Sequence, residues 1–246
     1  MDTTGTFDMH KELSLQGMIT CIARHYNTDG KKWNQAEHKN KLCVMSGISD
    51  TEISEIIGIV NTFSDVTFVG LDVANGYTIN FVEAIKQLRL QLPSSTIIAG
   101  NVVTGDMTAE LILAGADIIK VGIGSGSVCT TRTKTGIGYP QLSAVIECAD
   151  AAHGIGGHII ADGGCNSSGD IVKAFAAGAD FVMVGSLLAG TTETPGDVIH
   201  KDGEKYKSYR GMASKDAQMD WRGNVSSLEG IATVIPYTGA VLKVLE

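Results

Sequence analysis

Leu111-Ile-Leu-Ala-Gly-Ala-Asp-Ile-Ile-Lys-Val-Gly122 and Ala174-Phe-Ala-Ala-Gly-Ala-Asp-Phe-Val-Met-Val-Gly185 are two copies of one pattern, set 63 positions apart. Each reads as a helix end, a glycine turn, a buried strand, and then a glycine at the strand's C-terminal end. The offset suits two consecutive βα units of about 30 residues each. Both glycine-ended strands should open onto one face, the face on which (β/α)8 enzymes build their active and phosphate sites.

Working outward, further apolar runs fall at residues 18–23, 42–45, 66–71, 96–99, 117–121, 158–161 and 180–184. Most are rich in Val and Ile and lack polar alternation, as strands buried on both faces require. Amphipathic helices are expected between them over 7–16, 51–63, 79–92, 106–114, 139–153 and 169–177, several with Ser, Thr or Asp near the start as caps. Such alternation implies parallel strands joined by right-handed crossovers. An open doubly wound sheet also accommodates seven strands, but the Gly122 loop is not a G-x-G-x-x-G turn in a first βαβ unit. The expectation is a single (β/α)8 catalytic domain over 1–246, supplied without its opening strand and closing segment. Such a barrel needs something else to cover two unpaired edges.

Composition agrees with a packed enzyme. The 246 residues are 43% hydrophobic and 19% charged, enough for one large core. A net charge of −8 argues against a nucleic-acid partner, which needs a basic surface. It leaves phosphorylated small molecules open, because backbone amides can hold a phosphate. No apolar run is long enough for a membrane span, and the N-terminus does not read as a signal peptide. Five scattered cysteines without Cys-x-x-Cys spacing make a disulfide framework unexpected and a reducing cytosol the default. The six histidines show no metal-ligand spacing.

Chemistry concentrates in Gly122-Ile-Gly-Ser-Gly-Ser-Val-Cys-Thr-Thr131. Gly122, Gly124 and Gly126 allow close backbone approach to a ligand, and Cys129 is a potential nucleophile. An isolated cysteine is usually an inert packing residue. Three alternating glycines after a barrel strand favour function instead. Cys21, Cys43 and Cys148 take the packing role, and Cys165 lacks a visible activating neighbour.

This loop resembles the signature of the IMP dehydrogenase/GMP reductase family. The likeness continues through Leu71–Tyr77, Ala99–Gly105, Gly138–Glu147, Asp162–Cys165 and Tyr209–Met212. It implies a (β/α)8 barrel, and Asp72–Tyr77, Cys129–Arg132 with Lys134, Glu147–His153 and Asp162–Cys165 look like the reductase branch. Gly185–Gly190 and Arg210–Ser214 lean towards the dehydrogenase branch, yet Trp221–Glu229 lacks the Arg-Tyr pair that hydrolysis requires there. The resemblance implies NADPH-dependent reductive deamination of GMP to IMP. IMP oxidation with NAD and an inactive truncated nucleotide-binding paralogue stay open as alternatives. By the same resemblance Cys129 attacks purine C2, while Thr131 in the same loop and Glu229 on a mobile flap over about 212–235 handle the proton of the departing amine. Ser127, Asp162, Gly163, Gly164, Gly185 and Ser186 are implied to cradle ribose and phosphate, with Met212 and Ser214 beside the base. Asp72, Ala74, Asn101, Ile123 and Gly124 face the dinucleotide, and Arg24 stands where reductases usually have Lys. The carbonyls of Gly124, Gly126 and Cys129 match the family's K+ site. A homotetramer is also implied.

Overall fold

The computed structural model describes residues 1–246. Seven strands, β1 (Thr20–Ile22), β2 (Leu42–Ser46), β3 (Phe68–Asp72), β4 (Thr96–Val102), β5 (Ile118–Val121), β6 (His158–Asp162) and β7 (Phe181–Met183), form one parallel sheet in sequential order. Around it run α1 (Phe7–Leu15), α2 (Gly30–Gln35), α3 (Asp50–Thr62), α4 (Ile79–Gln91), α5 (Gly105–Leu113), α6 (Thr131–Thr135), α7 (Gln141–His153) and α8 (Ser168–Ala176). This is the strand–helix alternation of a (β/α)8 barrel, curled through seven strands. The hydroxyls of Thr6, Ser49, Thr78 and Ser167 cap α1, α3, α4 and α8, and Glu52 completes a capping box with Ser49.

Period-two alternation divides the apolar side chains into two layers. Ile97, Ala99, Ile119, Val121, Ile159 and Ala161 face the helices and join Phe81, Ile85, Leu88 and Leu111 in the main core. Ile98, Ile118 and Ile160 face the lumen with Cys43 and Met45. Each fully buried large side chain in these layers contributes about 1.5–3 kcal/mol of transfer free energy.

The repeated aspartates of the opening motif do the same job twice. Asp117 accepts the Ile97 amide at 2.6 Å and Asp180 accepts the Ile159 amide at 2.8 Å, so each ties its own strand to the start of the preceding one. Arg89 donates to the same Asp117 Oδ2, while His153 and His158 meet Asp180 on its two oxygens at 3.0 and 3.1 Å. Those histidines therefore converge on one carboxylate although their spacing does not suggest it.

Strands β1 and β7 do not pair with each other. The gap is spanned by N-terminal residues: Ala23 N–H donates to Gly5 O, Thr6 Oγ1 donates to Glu193 O, and Met9 and Leu13 of α1 pack on Leu188 and Val241. That cover reduces the edge exposure expected from the sequence.

Beyond β7 lies an antiparallel sheet that the apolar-run reading did not anticipate: β8 (Ile199–Lys201), β9 (Glu204–Arg210) and β10 (Ala232–Pro236), in order β10-β9-β8. Strands β8 and β9 are charged, and β8 and β10 are largely exposed, so the sheet lacks the buried apolar runs of the barrel strands. Helix α9 (Lys215–Arg222) and the first residues of β10 occupy much of the expected flap, and α10 (Leu242–Leu245) follows. Strand β4 also runs past Ala99 through Gly100 and Asn101, residues disfavoured in strands by propensity.

Candidate active site

The loop after β5 is held against the loop after β6 by contacts that tolerate only glycine. A Cβ on Gly122 (φ +149°) would lie 2.1 Å from Asp162 O, and one on Gly163 (φ +96°) would lie 2.3 Å from Ser125 Oγ. Ser125 Oγ donates to Asp162 O at 2.8 Å and fastens the two loops together. The close approach explains why the spacing of glycines, rather than their number, defines this loop.

At the far end of the loop, Cys129 is half-buried. Its Sγ donates to Thr131 Oγ1 at 3.2 Å, and Thr131 Oγ1 donates to Glu229 Oε2 at 2.8 Å. Ser227 Oγ donates to Glu229 Oε1 at 2.8 Å. These hydrogen bonds from Thr131 and Ser227 hold the Glu229 carboxyl below the usual carboxylate range. The backbone fixes the register: Thr130 N–H donates to Glu229 O at 2.8 Å and Ile231 N–H to Val128 O at 3.1 Å, with Cys129 opposite Gly230. Three residues expected to act together thus form one hydrogen-bonded chain, although Glu229 lies 98 positions from Thr131.

Asp162, at the C-terminal end of β6, accepts Lys120 Nζ at 3.0 Å and Asn101 Nδ2 at 2.8 Å on Oδ2. Its Oδ1 has no partner within the chain. Gly163 and Gly164 follow with positive φ. Ser127 Oγ lies 3.4 Å from Tyr209 Oη, and that hydroxyl is 3.9 Å from the position of a Cβ on Gly185. Ser127 and Gly185 therefore converge through Tyr209, whose side chain is buried. Ser186 Oγ donates to Asn166 Oδ1 at 3.0 Å. Met212 Sδ accepts the Asp2 amide. Ser214 is buried, and its hydroxyl caps α9 by accepting Ala217 N–H. That cap is a structural use of a hydroxyl expected beside the base.

On the expected dinucleotide side, Asp72 and Ala74 are exposed at the rim. Asp72 Oδ1 accepts Lys120 Nζ at 2.6 Å. Although Asp72 reaches the rim, desolvation by the surrounding protein opposes its ionisation; the Lys120 charge and hydrogen bond outweigh this and hold the carboxyl below its ordinary range. The Asn101 Nδ2 donates to Asp162 Oδ2 and Gly122 O, leaving Oδ1 buried and unpartnered. Such an orphaned acceptor fits a bound donor. Arg24 is ion-paired to Glu52 at 3.1 Å, and Ile123 O accepts the Arg132 guanidinium. Of the three carbonyls expected to hold a cation, Gly126 O accepts Cys129 N–H, whereas those of Gly124 and Cys129 accept nothing within the chain. Carbonyl oxygens are the donor type a hard cation takes.

Two residues escaped the sequence reading. Tyr209 lies inside a quoted motif but was assigned no role. Lys120 is 5% exposed in an otherwise apolar strand, and only the odd charge in Ile-Ile-Lys-Val signals it.

Comparison with known proteins places this geometry in context. A family model described as the IMP dehydrogenase / GMP reductase domain matches residues 1–246. GMP reductase 2 of Bos taurus is 51% identical over 98% of this chain and 71% of its own length. GMP reductase of Vibrio vulnificus strain YJ016 is 50% identical over 98% and 71%, and GMP reductase 1 of Homo sapiens 51% over 98% and 72%. A crystal structure of a GMP reductase variant from Trypanosoma brucei, in complex with guanosine 5′-monophosphate, superposes with a TM-score of 0.78 at 37% identity. The match covers 83% of this chain, which spans less than half, 43%, of that one.

Proposed function

This chain belongs to the IMP dehydrogenase / GMP reductase family, and on that footing we propose that it is a GMP reductase, converting GMP to IMP and ammonia with NADPH as reductant. The observation that carries the reading is the hydrogen-bonded chain from Cys129 Sγ through Thr131 Oγ1 to Glu229 Oε2. A thiolate, not a thiol, is the nucleophile. An ionised Glu229 draws the Cys129 proton through the Thr131 hydroxyl, and Cys129 then bonds to purine C2. The same relay returns the proton to the departing amine, dividing one difficult displacement into two easier steps. The dinucleotide, when bound, supplies hydride to C2, after which Cys129 is released.

Asp162 Oδ1, free of intrachain partners, accepts from the ribose hydroxyls. Gly163, Gly164, Gly185, Ser186 and Ser127 surround the phosphate, and Tyr209 adds a buried hydroxyl to that cradle. Asp72 and the rim around Ala74 face the cofactor. Gly124, Gly126 and Cys129 offer carbonyls to K+, which would brace the nucleophile's loop. The relatives' names and the GMP bound to the Trypanosoma brucei enzyme support the substrate assignment.

The test is direct. Purified protein is supplied with GMP and NADPH, or with IMP and NAD, and the absorbance of reduced cofactor is followed. GMP-dependent NADPH consumption that disappears in Cys129→Ala is the expected result. NADH formation from IMP, or no turnover with either pair, overturns it.

A further inference from the structure

Asp72, Lys120 and Asp162 all sit on the lumen-facing side of their strands, in the layer above Ile98, Ile118 and Ile160. Lys120 belongs to β5, Asp162 to the adjacent β6, and Asp72 to β3, with β4 standing between β3 and β5. The β4 residue registered with both Asp72 and Lys120 is Gly100. A Cβ there would lie 2.6 Å from Lys120 Cβ. Glycine at this point lets the lysine side chain cross β4 and reach a carboxylate two strands away. The outcome is one ammonium shared by two carboxylates, at 2.6 Å from Asp72 Oδ1 and 3.0 Å from Asp162 Oδ2, with a side chain 6% exposed.

We infer that Lys120 is a positioning residue that couples the two halves of the site, holding the ribose-facing Asp162 and the cofactor-facing Asp72 in fixed orientation through one shared ammonium. The inference rests on the GMP reductase reading for the identity of the ligands, but the shared ammonium does not depend on it. Without the lysine, two carboxylates at one barrel mouth compete with like charge, and at least one is driven towards its protonated form. Burial works against the Lys120 charge, yet its two carboxylate partners keep it protonated. The other ionisable groups acting on this cluster are the thiols of Cys21 and Cys43, Arg24 and the N-terminal amine. Asn101, from β4, donates to the same Asp162 oxygen as Lys120.

The consequence is an unusual pattern among variants. K120M should raise KM for both GMP and NADPH by roughly ten-fold or more near neutral pH, with a smaller change in kcat. The GMP defect should shrink as pH rises and the carboxylates re-ionise. Adding D72N should restore GMP affinity, because Asp162 no longer faces an unbalanced neighbour, while leaving NADPH affinity impaired. A lysine that merely filled space would give no pH-dependent recovery and no rescue.

The experiment measures GMP affinity calorimetrically from pH 6 to 9, with steady-state KM values beside it, for wild type, K120M, D72N and K120M/D72N. Thermal melts verify folding, and K120Q replaces K120M if that variant melts without cooperativity. Rescue of GMP binding in the double variant supports the coupling. Additive losses in K120M and D72N, or a K120M protein with both KM values unchanged, overturn it. A wild type that neither binds GMP nor oxidises NADPH would instead count against the functional reading, so the two failures are separable.

Discussion

Replacing Gly122 with alanine tests whether the glycine loop is a positioning device for the nucleophile. The added Cβ would stand 2.1 Å from Asp162 O, 2.9 Å from Ser125 Oγ and 3.0 Å from Gln141 Oε1. The nearest of these is a backbone atom, which no rotamer change can move aside. Bringing that contact out to about 3 Å requires the two loops to separate by about 1 Å. Both loops carry proposed substrate contacts, and one leads to Cys129. A misplacement of about 1 Å costs roughly 100-fold in rate when reacting groups must be prealigned. Residue 122 also has φ +149°, so alanine adds local strain of order 1–3 kcal/mol. Gly136→Ala separates the two effects. It too has positive φ, +73°, but nothing lies within 4 Å of its Cβ position. Both variants should melt at lower temperature, whereas only Gly122→Ala should lose kcat/KM for GMP by about two orders of magnitude. Oxidation of NADPH at sub-saturating GMP, which reads kcat/KM, is the assay. If Gly122→Ala keeps its rate within about three-fold of wild type, or Gly136→Ala loses as much as Gly122→Ala does, the close-approach argument fails.

Two further outcomes follow from the same geometry. Glu229→Gln should lower kcat by roughly 100-fold or more, because the amide cannot take up the proton. The Glu229 carboxyl is held below the ordinary glutamate range by Thr131 and Ser227, so the relay is intact above that lowered pKa and lost as pH falls through it. The acid limb of kcat/KM should therefore lie below the usual glutamate range in wild type, and its persistence in Glu229→Gln would assign it to another group. Away from the site, Gly58 is an exposed residue of α3 with nothing within 4 Å of its Cβ position. Gly58→Ala should stabilise the protein by about 0.5–1 kcal/mol through lower unfolded-state entropy. A fall in denaturant midpoint would contradict that.

Much of the fold was legible in residue order because its signals are local. All seven parallel strands and the six longer helices lie where apolar runs and periodicity place them, to within a few residues. Buried parallel strands need continuous apolar side chains, and that requirement shows directly in composition. The antiparallel sheet β8–β9–β10 was not legible, since β8 and β9 are charged, β8 and β10 are largely exposed, and the sheet is stabilised by pairing rather than burial.

The site divides along the same line. The sequence by itself determined the glycine loop, the cysteine within it, and the Asp162-Gly-Gly turn, because each is a contiguous motif whose backbone demands select residue types. Tertiary structure alone decided that Glu229 meets Thr131 and that Tyr209 links Ser127 to Gly185. It also decided that Lys120 spans β4 to reach both Asp72 and Asp162. These depend on contacts between residues 24 to 98 positions apart, and on which face of a strand a side chain occupies. A one-residue change of register would send Lys120 out among the helices instead of into the lumen, with no change in the local sequence to mark it.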